Sequence, residues 1–243
     1  MVLEKSLNGA NGASSTFSRA EGGMAVRFKT VERVWMKLVD AEVEILPSRD
    51  GTVHVEAAPE SAFSMREHSG ELSILTSTGW KLRNLPRKDK ARARLIVRVP
   101  SSVEIEGGMK RVSLHAERVS FGSFAIGEAL AELRGCSVRN LAVGPAKLSG
   151  SLYVWGKTGI ALSMGSLELK ILELEAPLDV SVVMGSARLF LPEDCDAAIE
   201  VAGDAEGVIL KSKRFLGSGE HTVRLSNTKG VIMVDTWRCP NAL

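Results

Sequence analysis

The side chains that could do chemistry are few, and their spacing favours no reaction. The four histidines, His54, His68, His115 and His221, show none of the H-x-H, H-x-x-x-H or H-E-x-x-H spacings that bring two ligands to one metal ion. His54 and His115 each stand between apolar residues of an alternating stretch, which places them on the polar face of a strand. The sequence therefore predicts solvated surface histidines and no metal site.

The cysteines favour neither a zinc site nor a disulfide framework. Cys136, Cys195 and Cys239 are odd in number and far apart, and no C-x-x-C pair is present. We expect them to be buried as small apolar residues. The alternative, a redox-active thiol, has no supporting neighbour in the sequence.

Carboxylates offer the one route to an enzyme. Glu168, Glu173 and Glu175 alternate with leucines, so they should point outward together, and Asp194 and Asp196 share a turn. Paired carboxylates of this kind could do the acid/base work of a polysaccharide-acting β-helix enzyme. The outer face of any soluble β-protein needs such charges too, and no G-x-S-x-G motif is present. The sequence therefore predicts no enzyme and no cofactor.

One segment is strongly basic. Between residues 81 and 98, eight basic side chains stand against Asp89 alone, a net charge of +7. Such a patch could contact nucleic acid, anionic lipid or an acidic protein surface, and the alternative is a solvated loop. Stacking aromatics are missing apart from Trp80, which argues against specific binding of single-stranded nucleic acid. The candidate anionic-partner patch is Lys81, Arg83, Arg87, Lys88, Lys90, Arg92, Arg94 and Arg98.

A later region is acidic. Residues 161–210 contain Lys170 and Arg188 against ten acidic residues, a net charge of −8. Basic and acidic regions of two copies could attract each other, and head-to-tail contacts of this heterologous kind build rings or filaments. The chain itself is therefore a candidate partner.

Composition is that of a soluble globular protein. Hydrophobic residues make up 44% and charged residues 25%, while aromatics are only 5% and the formal net charge is +2. No apolar stretch resembles a signal peptide, and none approaches the length of a transmembrane helix. The expected compartment is the cytoplasm, with export by a non-classical route left open.

The elements that must position these residues are short strands. Apolar residues alternate with polar ones from residue 26 onward, and glycines punctuate the later stretches. Leu162–Leu169 repeats as Val182–Leu189, and in this match Met164 corresponds to Met184. A period of about 15–20 residues suits one solenoid coil of short strands, which buries its apolar row only by stacking on its neighbours. The predicted fold is an all-β, single-chain β-solenoid.

Three parts are expected along the chain. Residues 1–24 are rich in Gly, Ser, Asn and Ala and should form a flexible N-terminal arm. Residues 25–237 should form the β-solenoid domain, although residues 25–75 could be either its first coils or a separate β-layer. Residues 238–243 form a tail. Trp237 is predicted to cap the last coil, and the alternative is a plain surface tryptophan.

This rhythm of strands resembles a known family. Paired strands around Val43–Ile45 and Val53–Val55 are followed by Leu95–Pro100, by strands with Gly-Ser punctuation, by Ala187–Pro192 and by Lys229–Val234. The pattern, over residues 26–236, is similar to the bacterial and archaeal β-strand-repeat family called "putative adhesin", and more loosely to the bactofilins. The first resemblance implies a β-solenoid without known enzyme activity and transfers no site residues.

We therefore expect a non-catalytic β-solenoid that acts as a scaffold or as a self-assembly or interaction module. An adhesin-like surface or ligand-binding module is the alternative, and a polysaccharide-acting enzyme comes third.

Overall fold

The protein is all-β, as the sequence predicted. The computed structural model describes residues 5–8, 14–20, 23–77, 93–203 and 205–238, and none of these residues lies in an α-helix. One 3₁₀ turn, Glu60–Ala62, interrupts the strands. Nowhere in these ranges is there a helix long and apolar enough to cross a membrane. The chain divides into two compact units, Met1–Ser120 and Phe121–Leu243.

The first unit is a mixed arrangement of parallel and antiparallel strands. One ladder runs in the order β1-β2-β3-β6-β9-β5-β11, and a second runs β7-β8-β4-β10. The strands are β1 (Lys5–Asn8), β2 (Ser14–Ala20), β3 (Gly23–Phe28), β4 (Arg33–Val39), β5 (Ala41–Pro47), β6 (Val53–Ala58), β7 (Phe63–His68), β8 (Glu71–Thr76), β9 (Ala93–Val99), β10 (Glu104–Lys110) and β11 (Ser113–Glu117).

The spacing in the first unit departs from the predicted coil length. Val34 lies opposite Leu72 on one side and opposite Ile105 on the other, so parallel partners are separated by far more than one predicted coil. Antiparallel hairpins such as β7–β8 fill the intervals. The predicted flexible arm contains β1 and β2, and the predicted domain start at residue 25 falls inside β3.

The second unit consists of two ladders of mostly parallel strands. Their orders are β13-β14-β16-β18-β23-β20 and β13-β15-β17-β22-β19-β21. The strands are β12 (Ser120–Gly127), β13 (Leu130–Val143), β14 (Ala146–Val154), β15 (Thr158–Leu162), β16 (Gly165–Leu174), β17 (Leu178–Val182), β18 (Ser186–Pro192), β19 (Ala197–Gly203), β20 (Val208–Leu210), β21 (Phe215–Leu216), β22 (His221–Asn227) and β23 (Val231–Trp237).

The predicted repeat sets the register of the second unit. Cys136 lies opposite Leu152, Ala146 opposite Gly165, and Leu169 opposite Leu189. The separation along the chain within each of these pairs falls inside the predicted coil length. The sequence match between 162–169 and 182–189 is therefore a match between neighbouring strands. The next step is longer, because the segment containing β19, β20 and β21 precedes β22 and β23.

Alternation along each strand builds the core of the second unit. In β16, Leu167, Leu169 and Ile171 are buried while Glu168 is exposed. Successive side chains of a strand point to opposite faces, so the paired strands of a ladder place their aliphatic residues on one side and present polar or aromatic residues on the other. Burial of such a leucine stabilises the fold by about 1.5–3 kcal/mol.

Candidate functional site

Asp50 is the centre of a polar network in the first unit that the sequence analysis missed. Its carboxylate accepts hydrogen bonds from the Ser48 hydroxyl (2.9 Å) and the Thr52 hydroxyl (2.7 Å), and the His54 Nε2 atom lies 2.8 Å from Oδ2. Arg27 forms an ion pair with the same carboxylate. The bonds from Thr52 and His54, joined by Ser48, hold the pKa of Asp50 well below its ordinary value of 3.8.

This network is suited to holding a turn rather than to catalysis. The Asp50 oxygens already receive donors from both flanks of the turn between β5 and β6 and from β3. A carboxylate with a lowered pKa is a poor proton donor at neutral pH. The signal in the sequence was the cluster of hydrogen-bonding side chains Ser48, Thr52 and His54 around Asp50, in a turn between two alternating stretches.

Most of the predicted basic patch lies outside the described residues. Only Arg94 and Arg98, both on β9, are described. Arg94 lies 3.5 Å from a Glu44 oxygen, and Arg98 forms an ion pair with Glu56. These two arginines therefore face carboxylates of neighbouring strands. Lys81, Arg83, Arg87, Lys88, Lys90 and Arg92 are outside the described residues.

Several acidic side chains of the second unit form ion pairs with nearby arginines. Arg224 lies between Glu200 (3.2 Å) and Asp179 (3.9 Å) on adjacent strands. Glu193 forms an ion pair with Arg238. Among the described residues, no group of three His, Cys, Asp or Glu side chains is placed to hold a metal ion.

The turn that contains Asp194 and Asp196 is a structural feature. The Ser218 backbone N–H donates to Asp196 Oδ1 at 2.6 Å, and this bond lowers the pKa of the Asp196 carboxyl. Burial, with Asp194 nearby, raises the pKa of the Cys195 thiol to about 11, so the thiol is protonated and unreactive at neutral pH. Cys136 is buried as well, and Cys239 is outside the described residues.

The outstanding surface of the second unit is an aromatic face on its first ladder. We call it the aromatic face and define it by Tyr153, Trp155, Phe190 and Trp237, together with Lys170, Glu173 and Arg188. Its aromatic members stand on or directly after β14, β18 and β23. The remaining aromatic residues of the unit are Phe121, Phe124 and Phe215, of which the first two are buried.

Tyr153 and Trp155 form one end of the aromatic face. Their rings stack with centroids 4.6 Å apart and an interplanar angle of 22°. Trp155 is nevertheless 55% exposed, and its indole N–H donates to Glu173 Oε2 at 2.6 Å. Glu173 stands opposite Tyr153 on the next strand, so the exposed ring is fixed from two sides.

Trp237 lies over the same face rather than beyond the last strand. Its indole N–H donates to the Ile171 carbonyl on β16 at 2.8 Å, and the Lys170 Nζ atom lies 3.4 Å from the ring centroid. In the ladder order, β18 lies between β16 and β23, so the indole reaches back across β18. Arg188 similarly covers the ring of Phe190, 4.6 Å from its centroid.

Register explains why these residues meet although they are distant in sequence. Phe190 stands opposite Lys170 and opposite Asp235 on the two neighbouring strands. A register shift between Leu152 and Tyr153 leaves one extra residue in β16, which brings Glu173 beside Tyr153. Such a bulge redirects side chains locally, and the residue types at this position do not predict it.

Comparison with known proteins gives structural neighbours only. No family model and no curated protein matches the sequence. A "putative adhesin" from Bacteroides fragilis is 13% identical, with 90% of this chain and 98% of that chain covered and a TM-score of 0.43. A "putative cell adhesion protein" from Clostridium sporogenes is 11% identical, with 86% and 94% covered and a TM-score of 0.34.

A third structure carries a different description. A "putative lipid binding protein" from Parabacteroides distasonis is 12% identical, with 88% of this chain and 94% of that chain covered and a TM-score of 0.30. None of the three supports the looser resemblance to bactofilins. Identities and TM-scores this low leave the function to be argued from the chain's own residues.

Proposed function

We propose that this chain is a non-catalytic β-solenoid binding module whose contact surface is the aromatic face. The observation that carries the proposal is the exposed Trp155 ring, held by Tyr153 and Glu173. Exposed aromatic rings present a large apolar area at a small entropic cost, because few torsions must be fixed on binding. Fixing the ring in advance reduces that cost further.

The strand pattern of the second unit supports the solenoid part of the proposal. Between β13 and β18, its parallel partners recur at about one predicted coil length along the chain. A chain that returns to the same ladder at this interval completes one coil per step. In the first unit the intervals are longer and hairpins fill them, so we restrict the proposal of regular coils to the second unit.

A non-catalytic role agrees with the partners of the carboxylates. Glu173 accepts the Trp155 N–H, Glu193 pairs with Arg238, and the pKa of Asp196 is lowered by the Ser218 N–H. A general acid needs the opposite shift, a pKa raised towards neutrality. Two of the candidate acids, Glu173 and Asp196, thus have structural partners.

The test is a panel of ligand classes compared between wild type and Trp155→Ala. The panel contains neutral oligosaccharides, neutral and anionic vesicles, a proline-rich peptide and single-stranded DNA, each measured by isothermal titration calorimetry. We expect one class to bind wild type and to lose about tenfold or more in affinity in the variant, because a stacking contact is worth about 1–3 kcal/mol.

The matched control is Trp35→Ala, since Trp35 is half-buried on β4 of the first unit and off the aromatic face. Binding by no class, or equal loss in both variants, would contradict the proposal. Circular dichroism and thermal melting establish that both variants are folded.

Self-association is a second candidate function, favoured by exposed apolar side chains on the outermost strands of the second unit. Ile209 on β20 is 45% exposed and Phe215 on β21 is 68% exposed. Both strands stand last in their ladders among the described residues. Strands at a ladder end offer unpaired backbone groups to another chain.

A further inference from the structure

The ligand class of the aromatic face follows from its charge and its ring geometry. Tyr153 covers one face of the Trp155 indole, so the exposed part of that ring comprises its other face and its edge. A flat apolar ring next to hydrogen-bonding groups suits a ligand with one apolar face and a polar rim. A pyranose sugar has this character, because one side of its ring presents C–H groups and its periphery carries hydroxyls.

One hydrogen-bonding group stands next to the Trp155 ring, and a second lies further along the face. Glu173 gives one carboxylate oxygen to the Trp155 N–H, and a carboxylate has a second oxygen that accepts hydrogen bonds. Lys170 stands three residues earlier on the same strand, with its ammonium over Trp237. An ammonium has three donors. The face therefore combines acceptors and donors of the kind that sugar hydroxyls satisfy.

The charge of the face is mixed, which excludes strongly charged polymers. Glu168 stands opposite Arg188, and Lys170 lies two residues further along β16, opposite Phe190. Glu193 is paired with Arg238. Nucleic acid and anionic membranes are held by clustered cations that neutralise several phosphates. Alternating charges of both signs favour a neutral, hydroxyl-rich ligand instead.

The length of the face fits a chain of sugars. From β14 the ladder continues through β16 and β18 to β23, and three steps of about 4.8 Å give about 14 Å. Trp155 stands at the first of these strands, and Trp237 extends from the last one back to β16. The face is longer than one monosaccharide, so several rings can be contacted at once.

We infer that the aromatic face binds a neutral oligosaccharide or polysaccharide, with one pyranose ring stacked on Trp155 and bonded to Glu173, and a further sugar of the same chain bonded to Lys170. This inference rests on the proposed function, because it names the ligand class of the same surface. It requires no covalent step and no cofactor.

The experiment titrates three neutral hexasaccharides, cellohexaose, maltohexaose and chitohexaose, into the full chain by isothermal titration calorimetry. We expect saturable binding of at least one of them. Trp155→Ala should raise its Kd about tenfold or more, which corresponds to about 1.4 kcal/mol, and Trp35→Ala should leave it unchanged. The matching monosaccharide should bind more weakly than the hexasaccharide.

Two conservative variants separate contact from folding. Trp155→Phe keeps a ring on Tyr153 and should retain part of the affinity, whereas Glu173→Gln should weaken binding with the chain still folded by circular dichroism. If vesicles, peptide or DNA bind through Trp155 and none of the three sugars does, the inference is wrong and the proposed function stands. If no class binds, both are wrong. Sugar binding that Trp155→Ala leaves intact overturns the inference as well.

Discussion

At the scale of single residues, Asp50 shows how a surface carboxylate can matter more than its exposure indicates. Four side chains and one backbone N–H from three segments converge on it. Hydrogen bonds from charged or polar donors stabilise the ionised form of a carboxyl. The network thereby joins β3, the turn and β6 through one ionised group.

The pKa shift of Asp50 leads to a prediction about acid stability. A carboxyl whose folded-state pKa is lowered stabilises the fold above its unfolded value of about 3.8, and this contribution is lost as the pH falls through the folded value. Asp50→Asn should therefore lower the melting temperature at neutral pH. The difference in melting temperature between the variant and wild type should be constant down to about pH 4 and should become smaller below that pH.

The measurement is thermal unfolding by circular dichroism from neutral pH to about pH 3. Asp194→Asn, at an exposed carboxylate in the other unit, is the matched control and should change the melting temperature little at every pH. If the difference in melting temperature between Asp50→Asn and wild type stays the same in acid, the stability that the network provides does not depend on the ionised Asp50 carboxylate.

The residues of the aromatic face could be predicted only in part. Tyr153 and Trp155 are two apart in sequence, so period two alone places them on the same side. Phe190 and Trp237 join them through strand register, and Glu173 reaches Tyr153 only because of the bulge in β16. The alternation in a sequence predicts which face of the sheet a residue is on. The register between neighbouring strands depends on the packing of all strands together and cannot be read from a local pattern.

At the scale of the elements, glycines next to the strands allow neighbouring strands to approach closely. Gly185 has a φ of +115°, and a Cβ on this residue would clash with the carbonyl oxygen of Gly165 on the neighbouring strand. Gly165 stands in the same relation to Ala146. The Met-Gly-Ser repeat that was visible in the sequence is therefore a stacking requirement at one bend of successive strands.

Gly185→Ala should destabilise the protein markedly. The alanine adds strain at a positive φ of about 1–3 kcal/mol and also forces two strands apart. The expected result is a lower denaturant midpoint of unfolding with an unchanged strand signal at low denaturant. Gly127→Ala is the control, because a Cβ there meets nothing within 4 Å. Equal midpoints for the two variants would refute the stacking argument.

The elements themselves were largely predictable, and their pairing was less so. The alternation correctly predicted strands at Val43–Ile45, Val53–Val55 and Leu95–Val99. The turn Asn227–Gly230 is closed by its own side chain, because Asn227 bonds Gly230 in both directions at 3.0 Å. The strands that follow it and precede it lie in different ladders, which local residue types cannot reveal because both ladders have the same period.

At the scale of the whole molecule, the charge distribution and the open ladder ends bear on self-association. The sequence is basic around residues 81–98 and acidic over residues 161–210, and the acidic region includes β20 and β19, the strand next to β21. Lys211, Lys213 and Arg214 flank the exposed Ile209 and Phe215. Lysines beside an edge strand are a common protection against indiscriminate pairing, so association here should be weak and selective.

Phe215 provides the decisive variant for self-association. In sedimentation velocity at low salt and high protein concentration, wild type should show species larger than a monomer, and Phe215→Ser should shift the distribution towards the monomer. Raising the salt should act in the same direction, because charge attraction between exposed groups is screened beyond about 8–10 Å. Leu130→Ser, at another residue of the second unit that is 63% exposed, should behave as wild type. A wild-type chain that stays monomeric at low salt would remove the assembly role and leave ligand binding by the aromatic face as the function to pursue. Trp155 follows β14 and Phe215 lies on β21 of the other ladder, so we expect the effects of the two variants to be independent.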